Sequence, residues 1–490
     1  MSTEDWVYRI FTSRNRWVSA FAVLLTCAIF ALGAGFLLAE VGPLYAALGV
    51  VGLAIGLWIL QDIEMAYLSV IGIVCLLPFA SFPFDVGFTP TFLDAALGGL
   101  FVVWVFQFVS GEQTELITTD LGGWVLLFLL LAVAAFVLGL GHAPLTSYVI
   151  RHFAEIVLSV LLFFLVVNTV RTPERLERIV RMFLICAFFA SLIGIVLYLI
   201  PDEMAMRALS SLGPLGYPQG AGVLRYIRDD PNLPQRATST SVDPNVLGSL
   251  LNIATALAVP QLFARRPVIR RLYLIPIVGV LGLGLGFTIS RGSMVGAAAA
   301  LAAVATLRYR KLWLWIAVAV ALVLLLPQTQ AYVSHFIEGL QGEDLATQMR
   351  FGEYKDALIL IGRYPILGVG FAGSPDVDVY VAVASVYLLI AAEMGLVGLA
   401  SFLVAMAVVF VRFWQTRREA AGDERLEGIW WGLHAGLVGA LVGGVFDHYF
   451  FNLDFHHSAT IFWLVVGLAT ATTELIRRRA ARETVEASTR

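Results

Sequence analysis

Charged residues are scarce in this sequence. Asp, Glu, Lys and Arg make up 14% of its 490 residues, whereas hydrophobic residues make up 59%. The mean hydropathy is +0.85. Soluble globular domains carry about 25% charged residues, so this composition excludes a soluble enzyme, a disordered chain and a nucleic-acid-binding protein with a basic face. Long uncharged runs recur from residue 17 to residue 476 and predict an all-α, polytopic integral membrane protein.

Cysteine is also scarce, since the chain contains three: Cys27, Cys75 and Cys186. All three lie inside apolar runs, which favours small core residues over a disulfide framework or a metal site. The first apolar run, at residues 17–39, is long enough to span a membrane and lacks a clear small-residue cleavage site. We therefore expect no cleavable signal peptide.

A membrane-spanning helix needs about 20 predominantly apolar residues, and this criterion predicts about fourteen spans. They lie at residues 17–39, 42–61, 66–82, 92–110, 121–141, 149–170, 179–201, 244–263, 272–290, 292–307, 312–328, 380–411, 428–446 and 458–476. The run at 380–411 is too long for one span. We expect it to begin with a short interfacial helix and to break near Gly395 and Gly398.

Arginine and lysine predict the orientation, because they concentrate in cytoplasmic connections. If the N-terminus is cytoplasmic and the spans alternate, both termini are cytoplasmic and the basic clusters share that side. These clusters lie at residues 9–16, 171–181, 265–271, 308–311, 412–425 and 477–490. Two long segments, 202–243 and 329–379, then lie outside, and long connections of this kind are often functional.

These features predict six parts of the chain. They are an N-terminal bundle of about seven spans at 1–201, an extracytoplasmic loop at 202–243, central spans at 244–328, a second extracytoplasmic loop with an amphipathic helix at 329–379, C-terminal spans at 380–476 and a solvated cytoplasmic tail at 477–490.

Two arginines lie where a predicted span meets the outer surface. Arg236 precedes Asp243-Pro244, which is typical of a helix start with Asp243 as the N-cap and proline in the first turn. Arg291 lies in a tight turn between two spans, where a charge is costly unless it has a partner. Arg291 either extends towards lipid headgroups or belongs to a buried anion site.

A third arginine, Arg350, begins a stretch with apolar positions at helical spacing. We predict an amphipathic helix at 349–362 that lies on the membrane and ends before Pro365. Glu353 could pair with Arg350 at i, i+3. Three arginines on one side of the membrane, in separate connections, suggest a cluster that binds a multiply charged anion, because arginine offers planar and permanently charged donors.

Histidines and aspartates share the connection between the last two predicted spans. Asp447-His448-Tyr449 and the segment 454–457 could hold a divalent metal, but ligand spacing alone is a weak signal. Helix capping with aromatic anchoring at the interface is the simpler interpretation. His434 lies within a span and is interpreted as a packed core residue, whereas His152 has no evident partner.

Around these residues the chain resembles the O-antigen ligase and O-antigen polymerase superfamily of bacterial membrane glycosyltransferases. Four pieces in order carry the resemblance and span about residues 230–410. They are Arg236 with Asp243-Pro244-Asn245; Thr288-x-Ser290-Arg291-Gly292; Arg350 with Ala357-Leu358 and the segment 365–370; and Val386-Tyr387-Leu388 with Ala392-Glu393, Gly395 and Gly398.

The resemblance implies a GT-C-like, inverting transferase that needs no metal or other cofactor and works at the outer face of the bacterial inner membrane. Its donor would be a glycan on undecaprenyl diphosphate, its acceptor a glycan or lipid-glycan, and its other partners membrane lipids. Arg236, Arg291 and Arg350 would then hold the diphosphate leaving group, and cations placed there lower the reaction barrier. A ligase and a repeat-unit polymerase share these motifs; the segment from Arg350 to Gly370 favours a ligase.

One position departs from the family pattern. The family has a histidine three residues before the motif tyrosine, here Tyr387, and it acts as the general base. This sequence has Ala384 there. The chain is an engineered variant, a natural non-catalytic homologue, or an enzyme whose base is Asp376, Asp378 or His448. The surrounding pattern is intact, which favours the first explanation.

Two other functions remain open. A transporter or flippase for lipid-linked anions would show repeats and charged or broken helices at mid-membrane. Here the span interiors contain few charges, chiefly Asp94 and Glu155, and no internal repeat is evident. This distribution favours a transferase. A non-catalytic homologue that binds the lipid carrier is supported mainly by Ala384.

Overall fold

The structure, a computed structural model, describes Gly56 and residues 62–85, 87–141, 144–326, 330–342, 345–373 and 383–488. The chain divides into two compact units, Met1–Met65 and Ala66–Arg490, and almost all described elements belong to the second. Apart from Gly56, the predicted spans at 17–39 and 42–61 lie outside the described residues.

Helices make up most of the described chain. Numbered in order, they are α1 (Ile63–Leu76), α2 (Phe92–Val109), α3 (Asp120–Gly139), α4 (Ser147–Thr169), α5 (Pro173–Leu199), α6 (Asp202–Ser210), α7 (Pro244–Phe263), α8 (Arg271–Thr288), α9 (Arg291–Leu307), α10 (Leu312–Leu325), α11 (Gln330–Gln341), α12 (Leu345–Arg363), α13 (Val386–Gly422), α14 (Glu427–Gly443) and α15 (His456–Ser488). Two short strands, β1 (Arg225–Tyr226) and β2 (Gln235–Arg236), pair antiparallel in the connection before α7.

Within the described residues, eight helices are long and apolar enough to cross a membrane: α2, α3, α4, α5, α7, α8, α13 and α15. Three shorter apolar helices are α1, α9 and α10. The chain is therefore an all-α, polytopic membrane protein, as predicted. The count of about fourteen spans, the orientation and the six-part division stay predictions.

Two helices differ from the spans predicted for them. α13 begins at Val386 and continues to Gly422, beyond the predicted 380–411. α15 continues to Ser488, where we expected a solvated tail after residue 476. One reason is that the tail has a partner, since Arg479 lies 3.2 Å from the Asp423 carboxylate in the connection between α13 and α14.

α13 breaks at Gly395, as predicted, and the break is filled by the segment that follows α12. Gly395 has φ +69° and ψ −178°, a conformation open essentially to glycine alone. The broken helix and the segment 365–370 then exchange backbone hydrogen bonds. Val369 and Gly370 donate to the carbonyls of Ala392 and Glu393, and Leu396 and Val397 donate to those of Pro365 and Ile366.

α7 lies at the centre of the bundle, and almost all of its residues are buried. It packs against α8, α9 and α14. Small residues permit the close approach, because a Cβ on Gly296 of α9 would overlap the Gly439 carbonyl of α14 and the Asn252 side chain of α7. Interfaces rich in small residues are typical of helix packing in membranes.

The β1–β2 hairpin positions Arg236. Arg225 pairs with Arg236 and Tyr226 with Gln235 across the two strands. The next residue, Ala237, donates its backbone N–H to the Phe287 carbonyl at the end of α8. Arg236 is thereby placed beside the C-terminus of α8, a few residues before α7 begins.

Ion pairs join several of the basic clusters that the orientation argument assigned to the cytoplasm. Arg425 contacts Glu177 and Glu174, Arg265 contacts Glu424, and Arg308 contacts Glu427. Segments 171–181, 265–271, 308–311 and 412–425 therefore meet at one end of the bundle. This is the arrangement that the predicted alternation requires.

Candidate functional site

Arg236 is largely buried and held by neutral oxygens. Its Nε donates to the Thr288 carbonyl at 2.9 Å, and its Nη2 donates to Asn245 Oδ1 at 2.6 Å. Burial lowers the pKa of Arg236, and the nearby Asp243 acts in the opposite direction. A guanidinium nevertheless stays protonated in proteins. The structure thus holds a permanent cation near the start of α7.

Asp243 is the N-cap of α7, as predicted. Its Oδ1 accepts from the backbone N–H groups of Asn245 at 2.7 Å and Val246 at 3.3 Å. The same oxygen also accepts from the Tyr449 hydroxyl at 3.2 Å. The capping carboxylate therefore ties the connection after α14 to the start of α7.

Arg291 is the first residue of α9, and its side chain extends towards α11 and α12. Its Nη2 lies 3.3 Å from Thr347 Oγ1 on α12. A Cβ on Gly339 of α11 would overlap the Arg291 guanidinium. Arg291 therefore packs against the helices of the second long connection, and Thr347 lies only three residues before Arg350.

Arg350 lies on α12, which begins at Leu345, four residues before the predicted start at 349. It is close enough to Asp447, Glu353 and His448 to affect their pKa values. Among the described residues, Arg350 and Glu353 form no ion pair within 4 Å. The alternative that Glu353 pairs with Arg350 at i, i+3 is therefore not realised, and the Glu353 carboxylate accepts from the Ala384 N–H instead.

Asp447 is the buried carboxyl between these arginines. Burial raises its pKa to about 7, against the opposing effects of Arg350 and Arg236. Its Oδ2 has no hydrogen-bond partner in the part of the chain that the structure describes. A Cβ on Gly292, the residue after Arg291, would lie 3.6 Å from this oxygen. Arg236, Arg350 and the backbone next to Arg291 therefore all lie near the Asp447 carboxyl.

The sequence argument missed Asp447, which it treated only as part of a capping or metal-binding segment. Its importance comes from burial between arginines that are far apart in sequence. The one available signal was its place in an extramembrane connection of the predicted topology.

Ala384 is buried between α12 and the connection that carries Asp447. Its backbone N–H donates to Glu353 Oε2 at 3.0 Å, and its carbonyl accepts from the Tyr354 hydroxyl at 3.1 Å. Two residues later, the Val386 N–H donates to the Asp447 carbonyl at 3.0 Å. Position 384 therefore belongs to the same cluster as Arg350 and Asp447, although its methyl group can transfer no proton.

His448 is buried beside this segment. Its Nδ1 has no hydrogen-bond partner within the described ranges. Burial lowers the pKa of His448 to about 4, and Arg350 acts in the same direction.

The other candidates are placed elsewhere. The Tyr387 hydroxyl donates to the Leu441 carbonyl of α14 at 2.7 Å, so it ties two helices together. Asp376 and Asp378 lie outside the described residues. His434 is a buried core residue, as predicted, with Nδ1 2.7 Å from the Trp430 carbonyl.

The central part of this arrangement can be compared with known families. Residues 276–403 match the family model described as O-antigen ligase. This match confirms the resemblance to the O-antigen ligase and polymerase superfamily. The family is one of glycosyltransferase-like membrane enzymes, and the match supports an O-antigen ligase-like function at that level. A search of curated proteins finds no matching sequence.

The O-antigen ligase segment extends from within α8 into α13. It contains Arg291, Arg350 and Ala384, whereas Arg236, Asp447 and His448 lie outside it. The cluster around Asp447 is therefore completed by residues from both sides of the O-antigen ligase segment.

Proposed function

We propose that the protein is an inverting glycosyltransferase of the O-antigen ligase type. It transfers a glycan en bloc from undecaprenyl diphosphate to an acceptor at the outer face of the inner membrane. The observation that carries the proposal is the convergence of Arg236, Arg350 and the start of α9 on the buried Asp447. The family match supports the reaction class.

The arginines suit a diphosphate leaving group. Negative charge develops on the diphosphate as the glycosidic bond breaks, and fixed cations at that place lower the barrier without a metal ion. Arginine binds phosphate oxygens through two parallel hydrogen bonds and cannot lose its charge. In this proposal Arg236, Arg291 and Arg350 share the diphosphate.

Asp447 lies beside the arginines that bind the diphosphate in this proposal. Because burial raises the pKa of Asp447 to about 7, its carboxyl is partly protonated near neutral pH. An arriving diphosphate adds negative charge nearby, which raises the pKa further and favours the neutral acid. The arginines can then interact with the donor without competition from a carboxylate.

His448 is the proposed proton acceptor in place of the missing histidine at position 384. The acceptor hydroxyl oxygen attacks the anomeric carbon, the bond to the diphosphate breaks with its electron pair, and the hydroxyl proton passes to Nδ1 of His448. Arg350 lowers the pKa of His448. A diphosphate bound to Arg350 offsets this effect and makes the imidazole a stronger base.

Two classes of acceptor fit the proposed reaction. A ligase would use a surface lipid-glycan, whereas a polymerase would use the end of a second lipid-linked repeat unit. The match to the O-antigen ligase model favours the first.

The test is glycan transfer from an undecaprenyl-diphosphate-linked donor in proteoliposomes. The parent chain is compared with Ala384→His, His448→Gln and the double variant Ala384→His/His448→Gln. Transfer by the parent that is lost in His448→Gln and restored in the double variant supports the proposal. Activity only in variants with Ala384→His would mark the parent as inactivated at position 384. Donor binding without transfer in every variant would indicate a non-catalytic carrier-binding protein.

A further inference from the structure

A second cluster of polar side chains lies outside the arginine cluster, at the N-terminal ends of α4 and α15. His152 and Glu155 are three residues apart near the start of α4, and His456 is the first residue of α15. Residues three apart on a helix share a face, so the two α4 side chains point the same way. His152 has no evident partner in the sequence, whereas the structure places Glu155 and His456 beside it.

The three side chains converge on one carboxylate oxygen. Glu155 Oε2 lies 3.1 Å from His152 Nδ1 and 3.2 Å from His456 Nδ1. Neither contact has hydrogen-bond geometry, and in the described chain Oε2 and both ring nitrogens of His456 have no hydrogen-bond partner. The side chains of Glu155 and His456 are 3% and 6% exposed. Leaving such buried polar atoms unsatisfied is costly, so a cation bound to Oε2 and to Nδ1 of His456 would stabilise the cluster.

We propose that His152, Glu155 and His456 bind a zinc ion. Zinc bonds to imidazole nitrogen and carboxylate oxygen are about 2.0–2.2 Å long, and a tetrahedral site then separates neighbouring donor atoms by about 3.4 Å. The separations of 3.1 and 3.2 Å are close to this value, and all three donor atoms lie within 4.8 Å of one another. Two imidazoles and one carboxylate are ligands that suit zinc better than calcium or magnesium.

The surroundings fit a divalent cation. The other oxygen of Glu155, Oε1, accepts from Arg151 Nε at 2.9 Å, which leaves Oε2 for the metal. Asp94 lies 3.6 Å from Arg151 and offsets its positive charge. His152 Nδ1 also lies 3.0 Å from the Leu453 carbonyl. Zinc binding at His152 Nδ1 replaces this hydrogen bond and releases the proton from that nitrogen.

The proposed ion is structural. It joins α4 to α15 at the end of the bundle that also carries Asp447 and His448, because only the short segment 449–455 separates His448 from His456. The three protein ligands leave one position for solvent. No step of glycan transfer involves the ion, so zinc binding can be tested separately from the proposed reaction.

The experiment measures metal in the full-length protein purified in detergent. The protein is stripped with a chelator, reloaded with zinc or cobalt(II), passed over a desalting column and analysed by elemental mass spectrometry. We expect one zinc ion per chain, visible absorption from the cobalt form, and a thermal unfolding midpoint that falls on chelation and recovers with zinc.

Three variants test the ligand set. His152→Gln, Glu155→Gln and His456→Gln should each lose most of the bound zinc and the zinc-dependent rise in unfolding temperature. His457→Gln is the matched control, because His457 is buried beside His456 but lies outside the cluster.

Two results would overturn the proposal. One is a parent protein that retains no zinc or cobalt after desalting, which needs no variant to interpret. The other is equal metal loss in His457→Gln and His456→Gln, which would mean that the assigned ligands are wrong.

Discussion

At the scale of single residues, Arg350 gives the sharpest test of the diphosphate cluster. Its side chain makes no hydrogen bond within the described part of the chain, so its truncation should leave the fold intact. We expect Arg350→Ala to reduce glycan transfer about 10²–10³-fold, as loss of one preorganised charge donor typically does. Binding of the undecaprenyl-diphosphate donor should weaken in parallel, measured by the donor-dependent rise in the unfolding temperature of the protein in detergent.

Arg363→Ala is the matched control, since Arg363 is an exposed arginine at the other end of the same helix. It should bind donor and transfer glycan like the parent. Equal donor affinity in Arg350→Ala and Arg363→Ala would show that Arg350 does not bind the diphosphate.

Asp447 predicts a specific pH dependence of stability. An unfolded aspartate has a pKa of about 3.9, whereas burial raises the folded value to about 7. Between these values Asp447 holds more of its proton in the folded state than in the unfolded state, so its contribution to stability falls as the pH rises through this window. Burial lowers the pKa of His448 to about 4, which acts in the opposite direction but equally in both proteins. We therefore expect the unfolding midpoint of Asp447→Asn to rise relative to that of the parent as the pH increases from 5 to 8. Both proteins are measured in one detergent at constant ionic strength. If their unfolding midpoints depend on pH in the same way, Asp447 is not a buried carboxyl that is protonated near neutral pH.

The sequence predicted residue roles only where the signal is local. Asp243 caps α7 because aspartate before proline is a helix start wherever it occurs. Asp447 and the Glu353–Ala384 contact depend on helices that meet only after folding. His152 and His456 are separated by 304 positions in the sequence. No spacing rule on the chain connects such residues.

At the scale of elements, the break in α13 carries the clearest prediction. A Cβ on Gly395 would overlap the carbonyl of Ile366, and the backbone there is in a region that costs other residues about 1–3 kcal/mol. Gly395→Ala should therefore lower the unfolding temperature and weaken the docking of 365–370.

Gly362→Ala is the control, because a Cβ at Gly362 of α12 meets nothing within 4 Å. It should be neutral or stabilise by up to about 1 kcal/mol, since alanine favours a helix over glycine. A Gly395→Ala protein as stable as Gly362→Ala would show that the break is not required. Limited proteolysis at 365–370 would report the docking directly.

The positions of the helices were predicted from the sequence better than the contacts of single residues. Apolar runs gave most described helices to within a few residues, because a membrane span needs a long apolar segment. The continuation of α15 to Ser488 was missed because its last part is polar and, like the Arg479–Asp423 contact, depends on tertiary packing. The length of α13 was missed for a related reason, since its second half becomes charged while it stays helical.

At the scale of the whole molecule, the predicted orientation can be tested with single cysteines. Glu203 of α6 is 81% exposed and is predicted to lie outside the cell membrane, whereas Glu112 lies in an exposed connection predicted to be cytoplasmic. In intact spheroplasts, a membrane-impermeant maleimide should label Glu203→Cys and leave Glu112→Cys unlabelled until the membrane is opened.

The parent chain is the control for background labelling, since it has buried Cys75 and Cys186 and also Cys27, which lies outside the described residues. Labelling of Glu112→Cys in sealed spheroplasts would reverse the orientation and place the arginine cluster on the cytoplasmic face. Such a result would also exclude an extracytoplasmic acceptor.

α12 is attached to the rest of the protein on both sides of Arg350. Before Arg350, Thr347 lies 3.3 Å from the Arg291 side chain. After it, Glu353 and Tyr354 bind the backbone of Ala384, and the helix leads into the four backbone hydrogen bonds at the break in α13. Arg350 is therefore held in position before a lipid-linked donor arrives. Binding of the diphosphate then requires little reordering of the arginine that receives it.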